Sequence, residues 1–216
     1  METKTIRANI LLLITAVIWG GGFVAQRLGM QQIGPYIFNG FRFLIGSITL
    51  IPFLIIRSKR SSKTRWDLKR LAFIGSIAGV ILFCGATFQQ LGLVYTTAGK
   101  AGFITGLYVI IVPLLGLLWG DRAPILTWAG AILAVAGLYL LSATSGLGLA
   151  RGDGLVLIGA FFWAFHVQFI ARFSPQVDSI QLSFFQSLVT SLISFLVGFL
   201  VEDFSISTVI STALPI

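Results

Sequence analysis

The run LAFIGSIAGVILFCGATFQQL, residues 71–91, contains no charged side chain. An α-helix needs about 20 predominantly apolar residues to cross a hydrocarbon core of roughly 30 Å. Helices suit this task because each backbone N–H and C=O is bonded within the same segment. Residues 71–91 therefore predict a membrane-spanning helix.

Six further runs of similar length occupy most of the remaining chain. Turn-forming residues separate several of them, at Gly34-Pro35, Asp121-Arg122-Ala123-Pro124, Gly152-Asp153-Gly154 and Ser174-Pro175. The seven predicted spans are residues 9–26, 36–56, 71–91, 99–119, 124–143, 154–173 and 180–201. The predicted fold class is all-α, a polytopic membrane helix bundle with short loops.

The composition agrees with a membrane protein. Of the 216 residues, 56% are hydrophobic and 10% are charged, whereas soluble domains carry about 25% charged residues. The net charge of +8 comes largely from a basic segment at residues 57–70, while a nucleic-acid binder would spread Lys and Arg over a folded surface. We expect the lipid bilayer as the surrounding medium and no nucleic-acid partner.

The basic residues also predict an orientation, because Lys and Arg accumulate in cytoplasmic loops. A cytoplasmic N-terminus places Lys4, Arg7 and the seven bases of residues 57–70 on that side. Three bases then lie outside: Arg27, Lys100 and Arg151. The prediction is a multi-pass protein of the cell membrane, the bacterial cytoplasmic membrane, with its N-terminus in the cytoplasm.

An internal repeat with an offset of 144 residues relates two parts of the chain. It aligns Ala16–Trp19 with Ala160–Trp163, and Phe41 with Phe185. A repeat unit then holds five spans, and because five is odd, the second unit is inserted upside down relative to the first. The pattern predicts an inverted repeat.

The repeat predicts a division of the chain. Residues 1–145 form a first repeat of five transmembrane helices, and residues 146–216 begin a second repeat with two. The counterpart of Leu71 is expected near position 215, where an eighth helix would start. We therefore expect the second repeat to be truncated.

Three segments carry a resemblance to a known family. The sequence AVIWGGGF at Ala16–Phe23 resembles the first helix of EamA-type permeases of the drug/metabolite transporter (DMT) superfamily, and NGFRFL at Asn39–Leu44 is similar to their arginine-bearing second helix. YTTAGKAGF at Tyr95–Phe103 resembles the start of their fourth helix. That helix ends here in WGDR at Trp119–Arg122, where the family typically has Gly-Glu-Arg.

The resemblance implies a fold and a function. Family members have ten helices in two inverted five-helix repeats, with both ends in the cytoplasm, and they move small metabolites or drugs. It implies a secondary transporter, a permease or efflux carrier working by alternating access, with a small-molecule solute as its partner. It implies no enzyme activity and no cofactor. Two alternatives stay open: a membrane-embedded enzyme, or a non-transporting membrane subunit that forms a homodimer or joins a partner chain.

Arg42 lies one to two turns inside the second predicted span and is the one base assigned to neither side of the membrane, whereas Lys100 and Arg172 lie near the ends of their spans. A charge at that depth costs several kcal/mol unless it is paired or hydrated. It either faces a cavity and meets an anionic group of the solute, or it extends to the interface or to carbonyl oxygens of a neighbouring helix.

Two tryptophans and a histidine also lie well inside spans. Trp19 and Trp163 occupy equivalent positions in the repeat, where they either form the walls of a cavity for a flat solute or fill the core. His166 is a candidate proton relay or solute contact, because it is the only mid-span group that titrates near neutral pH. The alternative is a hydrogen-bonded structural histidine.

Other polar residues complete the candidate set. The further candidates for solute binding are Asn39, Gln90, Thr105 and Tyr108, and Pro113 is the candidate kink or gate of the fourth span. All seven carboxylates lie in tails, loops or span ends, so no acidic proton carrier is expected at mid-membrane. With one histidine and one cysteine, we expect no catalytic residue and no metal site.

Overall fold

The computed structural model describes residues 2–30, 33–60, 67–121, 123–144 and 151–203, and no strand occurs among them. The helices are α1 Glu2–Gly29, α2 Pro35–Arg60, α3 Leu68–Tyr95, α4 Ala98–Gly106, α5 Tyr108–Leu118, α6 Ile125–Thr144, α7 Arg151–Phe173 and α8 Ser179–Val201. A 3₁₀ turn at Ser174–Gln176 joins α7 to α8. The predicted all-α membrane bundle is confirmed.

Six segments in the described part of the chain are long and apolar enough to cross a bilayer: Thr5–Gly29, Pro35–Arg57, Leu68–Tyr95, Ala98–Leu118, Arg151–Gln176 and Ser179–Val201. Ile125–Gly137 in α6 is a shorter apolar helix. These seven segments overlap the seven predicted spans. The expected start of an eighth helix, near residue 215, lies outside the described residues, as does part of the basic segment.

Local capping explains several helix starts. Proline suits the first position of α2, because that N–H has no partner within the helix. Asp178 caps α8, since its Oδ1 accepts hydrogen bonds from the N–H groups of Ile180 and Gln181 at 3.0 and 3.1 Å. Thr97 caps α4 in the same way and accepts from the Lys100 N–H at 3.2 Å.

The fourth predicted span differs from expectation in one respect. The helix is interrupted at Leu107, between α4 and α5, whereas Pro113, where we expected the kink, lies inside α5. A new helix that starts at Tyr108 places the proline in its second turn, where it removes one backbone hydrogen bond. The irregular point of this span is therefore about one and a half turns before the proline.

The predicted turn at residues 152–154 is wrong, because α7 already begins at Arg151. The glycine at 152 serves close packing instead of chain reversal. A Cβ on Gly152 would lie 2.4 Å from the carbonyl oxygen of Gly92 in α3. Small residues at such positions let two helix backbones approach closely in lipid.

Helix α3 forms the centre of the bundle. It makes extensive contacts with α7 and α8, and α2 packs along α8. On its α8 side, a Cβ on Gly75 would lie 2.6 Å from Phe185, and one on Gly79 would lie 2.7 Å from Val189. The two glycines therefore form notches that receive larger side chains of α8, while α1 remains mostly exposed.

Candidate functional site

A cavity of about 420 Å³ lies among α1, α2, α3, α7 and α8. Its volume is within the range of about 300–1,000 Å³ that is common for small-molecule sites. Most of its lining is apolar, and its polar and aromatic residues are Trp19, Phe23, Gln26, Arg42, Phe43, Gln89, Trp163 and Ser187. Helices from both predicted repeat units contribute to this lining.

The two tryptophans that the repeat aligns meet at this cavity. The ring centroids of Trp19 and Trp163 are 6.1 Å apart, with an angle of 56° between the ring planes. Trp19 is half exposed, with 50% of its surface accessible, whereas the Nε1 atom of Trp163 is buried and has no hydrogen-bond partner. The pair forms an aromatic wall with one unused N–H donor.

Arg42 lies two turns into α2 and also lines the cavity. Its guanidinium carbon is 4.7 Å from the centroid of the Phe43 ring, a cation–π contact. Among the described residues, no ion pair joins this guanidinium to a carboxylate, whereas Arg57, Lys100 and Arg172 each have an acidic partner. The cavity thus holds a cation without a counter-ion from the described chain.

His166 contacts Trp163 of the aromatic wall. Its Nε2 atom is 2.9 Å from Oε1 of Gln186 in α8, and its ring meets Trp163 edge to face at a centroid distance of 6.2 Å. It is not among the residues that line the cavity. This geometry fits a residue that holds the Trp163 indole in place.

Two adjacent glutamines in α3 have different roles. Gln89 lines the cavity, and its Nε2 donates a hydrogen bond to Oγ1 of Thr105 at 2.9 Å. Gln90 is fully buried, and neither polar atom of its amide has a partner. Asn39 of α2 is likewise fully buried with an unpaired amide.

The structure thus brings together part of the predicted set. Trp19, Arg42 and Trp163 line one cavity, and Thr105 and His166 each contact a residue that lines it. Four other predicted positions are not in the lining: Asn39, Gln90, Tyr108 and Pro113. Tyr108 packs beside the apolar cluster of Ile111, Ala160 and Ala164.

Sequence reasoning missed three polar residues of the lining: Gln26, Gln89 and Ser187. A signal for Gln26 existed in its spacing, because it follows Trp19 by seven residues and so lies two turns along the same helix face. Gln89 and Ser187 had no comparable signal, since nothing in their own helices shows which face turns towards α1.

A buried ion pair was also missed. Nζ of Lys100 in α4 is 2.6 Å from Oδ2 of Asp153 in α7, and both side chains are only 4% exposed. Thr96 donates its hydroxyl to Oδ1 of the same carboxylate at 2.6 Å, and its carbonyl accepts from Nη1 of Arg27 at 2.9 Å. This four-residue network, the Lys100–Asp153 network, joins α1, the end of α3, α4 and α7.

Lys100 was predicted at the outer end of the fourth span, and Asp153 in the turn before the sixth span. Their positions carried a usable signal, because the starts of the fourth and sixth spans lie on the same side of the membrane. The charged groups at the other ends of the helices are more exposed: Arg57 Nε is 2.7 Å from Oδ2 of Asp178, with side-chain exposures of 62% and 11%. The ion pair at one end of the bundle is therefore buried, whereas the Arg57–Asp178 pair at the other end is partly exposed.

Comparison with known proteins places the chain in a family. Residues 6–143 match the EamA-like transporter family. An uncharacterized transporter of Archaeoglobus fulgidus is 35% identical over 185 residues, which cover 85% of this chain and 55% of that protein. The uncharacterized transporter YvbV of Bacillus subtilis is 27% identical, with coverage of 92% of this chain and 65% of that protein.

The uncharacterized inner membrane transporter YedA of Escherichia coli is 31% identical over 154 residues, covering 69% of this chain and 48% of that protein. The chain thus spans about half the length of the relatives that it matches. No solved structure matches it significantly. The match over most of its length, together with the apolar helices described above, shows that this multi-pass membrane chain belongs to the EamA-like transporter family.

Proposed function

We propose that the protein is a secondary transporter of small metabolites or drugs, and that the cavity between α1, α2, α3, α7 and α8 binds its solute. One observation carries the proposal: the same cavity is lined by a guanidinium without an acidic partner among the described residues, that of Arg42, and by the aromatic wall of Trp19 and Trp163. Family membership and relatives named as transporters support the same function.

The transport mechanism we propose is alternating access. Residues 1–145 form the first repeat unit and residues 146–216 begin the second, inserted in the opposite direction. The cavity is lined by α1, α2 and α3 from the first unit and by α7 and α8 from the second. A rocking movement between two such units exposes a site at their interface to one side of the membrane and then to the other.

The Lys100–Asp153 network fits the role of a closure at one end of this interface. It joins α4 of the first unit to α7 of the second. The apolar cluster of Phe23, Leu93, Ala101, Ile104 and Val156 lies at the same end, and Phe23 also lines the cavity. With the N-terminus in the cytoplasm of the host cell, this closed end faces outwards.

Flux measurements test the proposal. The protein, as its own host makes it, is reconstituted into proteoliposomes and presented with labelled amino acids, nucleosides, sugars and aromatic acids. We expect saturable uptake of at least one solute and its loss in Arg42→Ala, with the protein level unchanged. The matched control Arg151→Ala, which changes an exposed arginine outside the cavity, retains flux.

Two results would contradict the proposal. The first is equal uptake of every compound by liposomes with and without the reconstituted protein, which would leave no evidence of a carrier. Loss of folded protein in Arg42→Ala, judged by size-exclusion chromatography in detergent, would assign Arg42 a structural role and remove the main support for a binding site there.

A further inference from the structure

Resting on the proposed function, we infer that the cavity selects a solute with a flat apolar ring system and one anionic group, and that Arg42 binds the anion while Trp19 and Trp163 hold the ring. The substrate class is thus aromatic monoanions, such as aromatic carboxylates. Three features of the cavity carry this inference: its unpaired cation, its aromatic wall and the absence of acidic side chains from its described lining.

The first step concerns charge. Arg42 lies in a membrane-spanning helix, where an uncompensated guanidinium is expensive. The contact with the Phe43 ring at 4.7 Å compensates part of this cost, but a cation–π contact is weaker than a charge-assisted hydrogen bond. An anionic group of the solute would supply the missing acceptor. The planar guanidinium is suited to a carboxylate, because it can donate two parallel hydrogen bonds.

The second step concerns the sign of the solute's charge. No Asp or Glu is among the described residues that line the cavity. A cationic solute would therefore lose its hydration and meet a fixed positive charge without a carboxylate to balance it. The carboxylate in the Lys100–Asp153 network is already engaged by Lys100 and Thr96. The described lining thus disfavours organic cations.

The third step concerns shape. The Trp19 and Trp163 rings are tilted and 6.1 Å apart, so a flat ring can pack against either face. Trp163 also offers a buried indole N–H without a partner, and Gln26 offers a buried unpaired carbonyl oxygen. A volume of about 420 Å³ lies in the lower half of the usual range for ligand sites, which suits a solute of one or two rings.

Three matched probes test the inference. Binding of radiolabelled 3-phenylpropionate, 3-phenylpropionamide and 3-cyclohexylpropionate to the host-made protein is measured by equilibrium dialysis in detergent. The first two probes differ in charge, and the first and third differ in the flatness of the ring. We expect the aromatic acid to bind about 10- to 100-fold more tightly than its amide, in line with a charge-assisted hydrogen bond. It should also bind more tightly than the cyclohexyl acid.

Variants assign the preference to residues. Arg42→Gln should remove the difference between acid and amide, and Arg42→Lys should restore part of it. Trp163→Leu should remove the preference for the flat ring, whereas Trp128→Leu, which changes a tryptophan outside the lining, should leave it unchanged. Circular dichroism and size-exclusion chromatography of each variant separate loss of binding from loss of folding.

The outcomes separate this inference from the proposed function. The substrate class is overturned if acid and amide bind equally, or if the acid preference survives in Arg42→Gln. It is also overturned if other solutes show saturable flux while none of the three probes binds. Binding with the expected preferences but without flux in proteoliposomes supports the site and contradicts the transporter. If Arg42→Gln does not fold, the acid and amide affinities of the unmodified protein and of Arg42→Lys decide the question.

Discussion

Removing one partner of the buried Lys100–Asp153 pair should destabilise the bundle strongly. Both side chains are 4% exposed and their charged atoms are 2.6 Å apart, so Lys100→Met removes the ammonium group that the buried carboxylate binds. Breaking a buried pair on one side typically costs about 3–5 kcal/mol of unfolding free energy. The double substitution Lys100→Met with Asp153→Leu removes both charges and should recover most of that loss.

The assay is reversible unfolding in mixed detergent micelles, followed by circular dichroism as the SDS fraction rises. Arg57→Met is a matched control because it breaks the pair with Asp178, in which the arginine side chain is 62% exposed. Exposed pairs contribute about 0–1 kcal/mol, so this control should change stability little.

Two results would refute the reasoning. Lys100→Met could lose no more unfolding free energy than Arg57→Met, which would mean that burial does not increase the cost of breaking the pair. Alternatively, the double variant could be as unstable as Lys100→Met alone, which would mean that the loss comes from packing and not from the buried charge of Asp153.

Three further predictions follow from the helix contacts. Gly152→Ala should lower unfolding free energy by about 1–3 kcal/mol, because its Cβ would lie 2.4 Å from a backbone carbonyl oxygen of α3; Gly154→Ala, with open space around it, is the control, and equal stabilities in the same SDS titration would contradict the packing argument. Glu202→Ala should speed hydrogen exchange at the first turn of α2, since its carboxylate accepts two backbone N–H bonds there at 2.8 and 3.0 Å; unchanged exchange would show that these bonds contribute little. Pro113→Ala should slow transport severalfold because the added N–H restores a helical hydrogen bond and stiffens α5; a normal proteoliposome rate would exclude a gating role for this proline.

The candidate site was predictable only in part. Trp19 and Trp163 could be paired from the repeat offset, because a helix repeat aligns equivalent faces, and Arg42 could be singled out because charge is rare inside a span. Gln89 could not be separated from Gln90, since which of two neighbouring residues faces a cavity depends on how the helix is rotated against its neighbours.

The sequence by itself determined that this chain is a bundle of membrane helices. Apolar runs of about 20 residues have the length of a membrane-spanning helix, in which the backbone hydrogen bonds are satisfied within the segment. Turn residues between the runs indicated several of the helix boundaries, although not the one at residues 152–154. The motifs at Ala16–Phe23 and Asn39–Leu44 pointed to the family that the comparisons show.

Only the tertiary structure decided which charges are paired. Lys100 and Asp153 are 53 residues apart and lie at the ends of different spans, yet they meet beside the point where Gly92 of α3 and Gly152 of α7 are in close backbone contact. Arg42 has no such partner within the described residues, because the helices around it bring tryptophan, phenylalanine and glutamine to the cavity. Helix formation in lipid is a local property, so the sequence indicated it. Charge pairing depends on how distant segments pack, so the sequence did not indicate it.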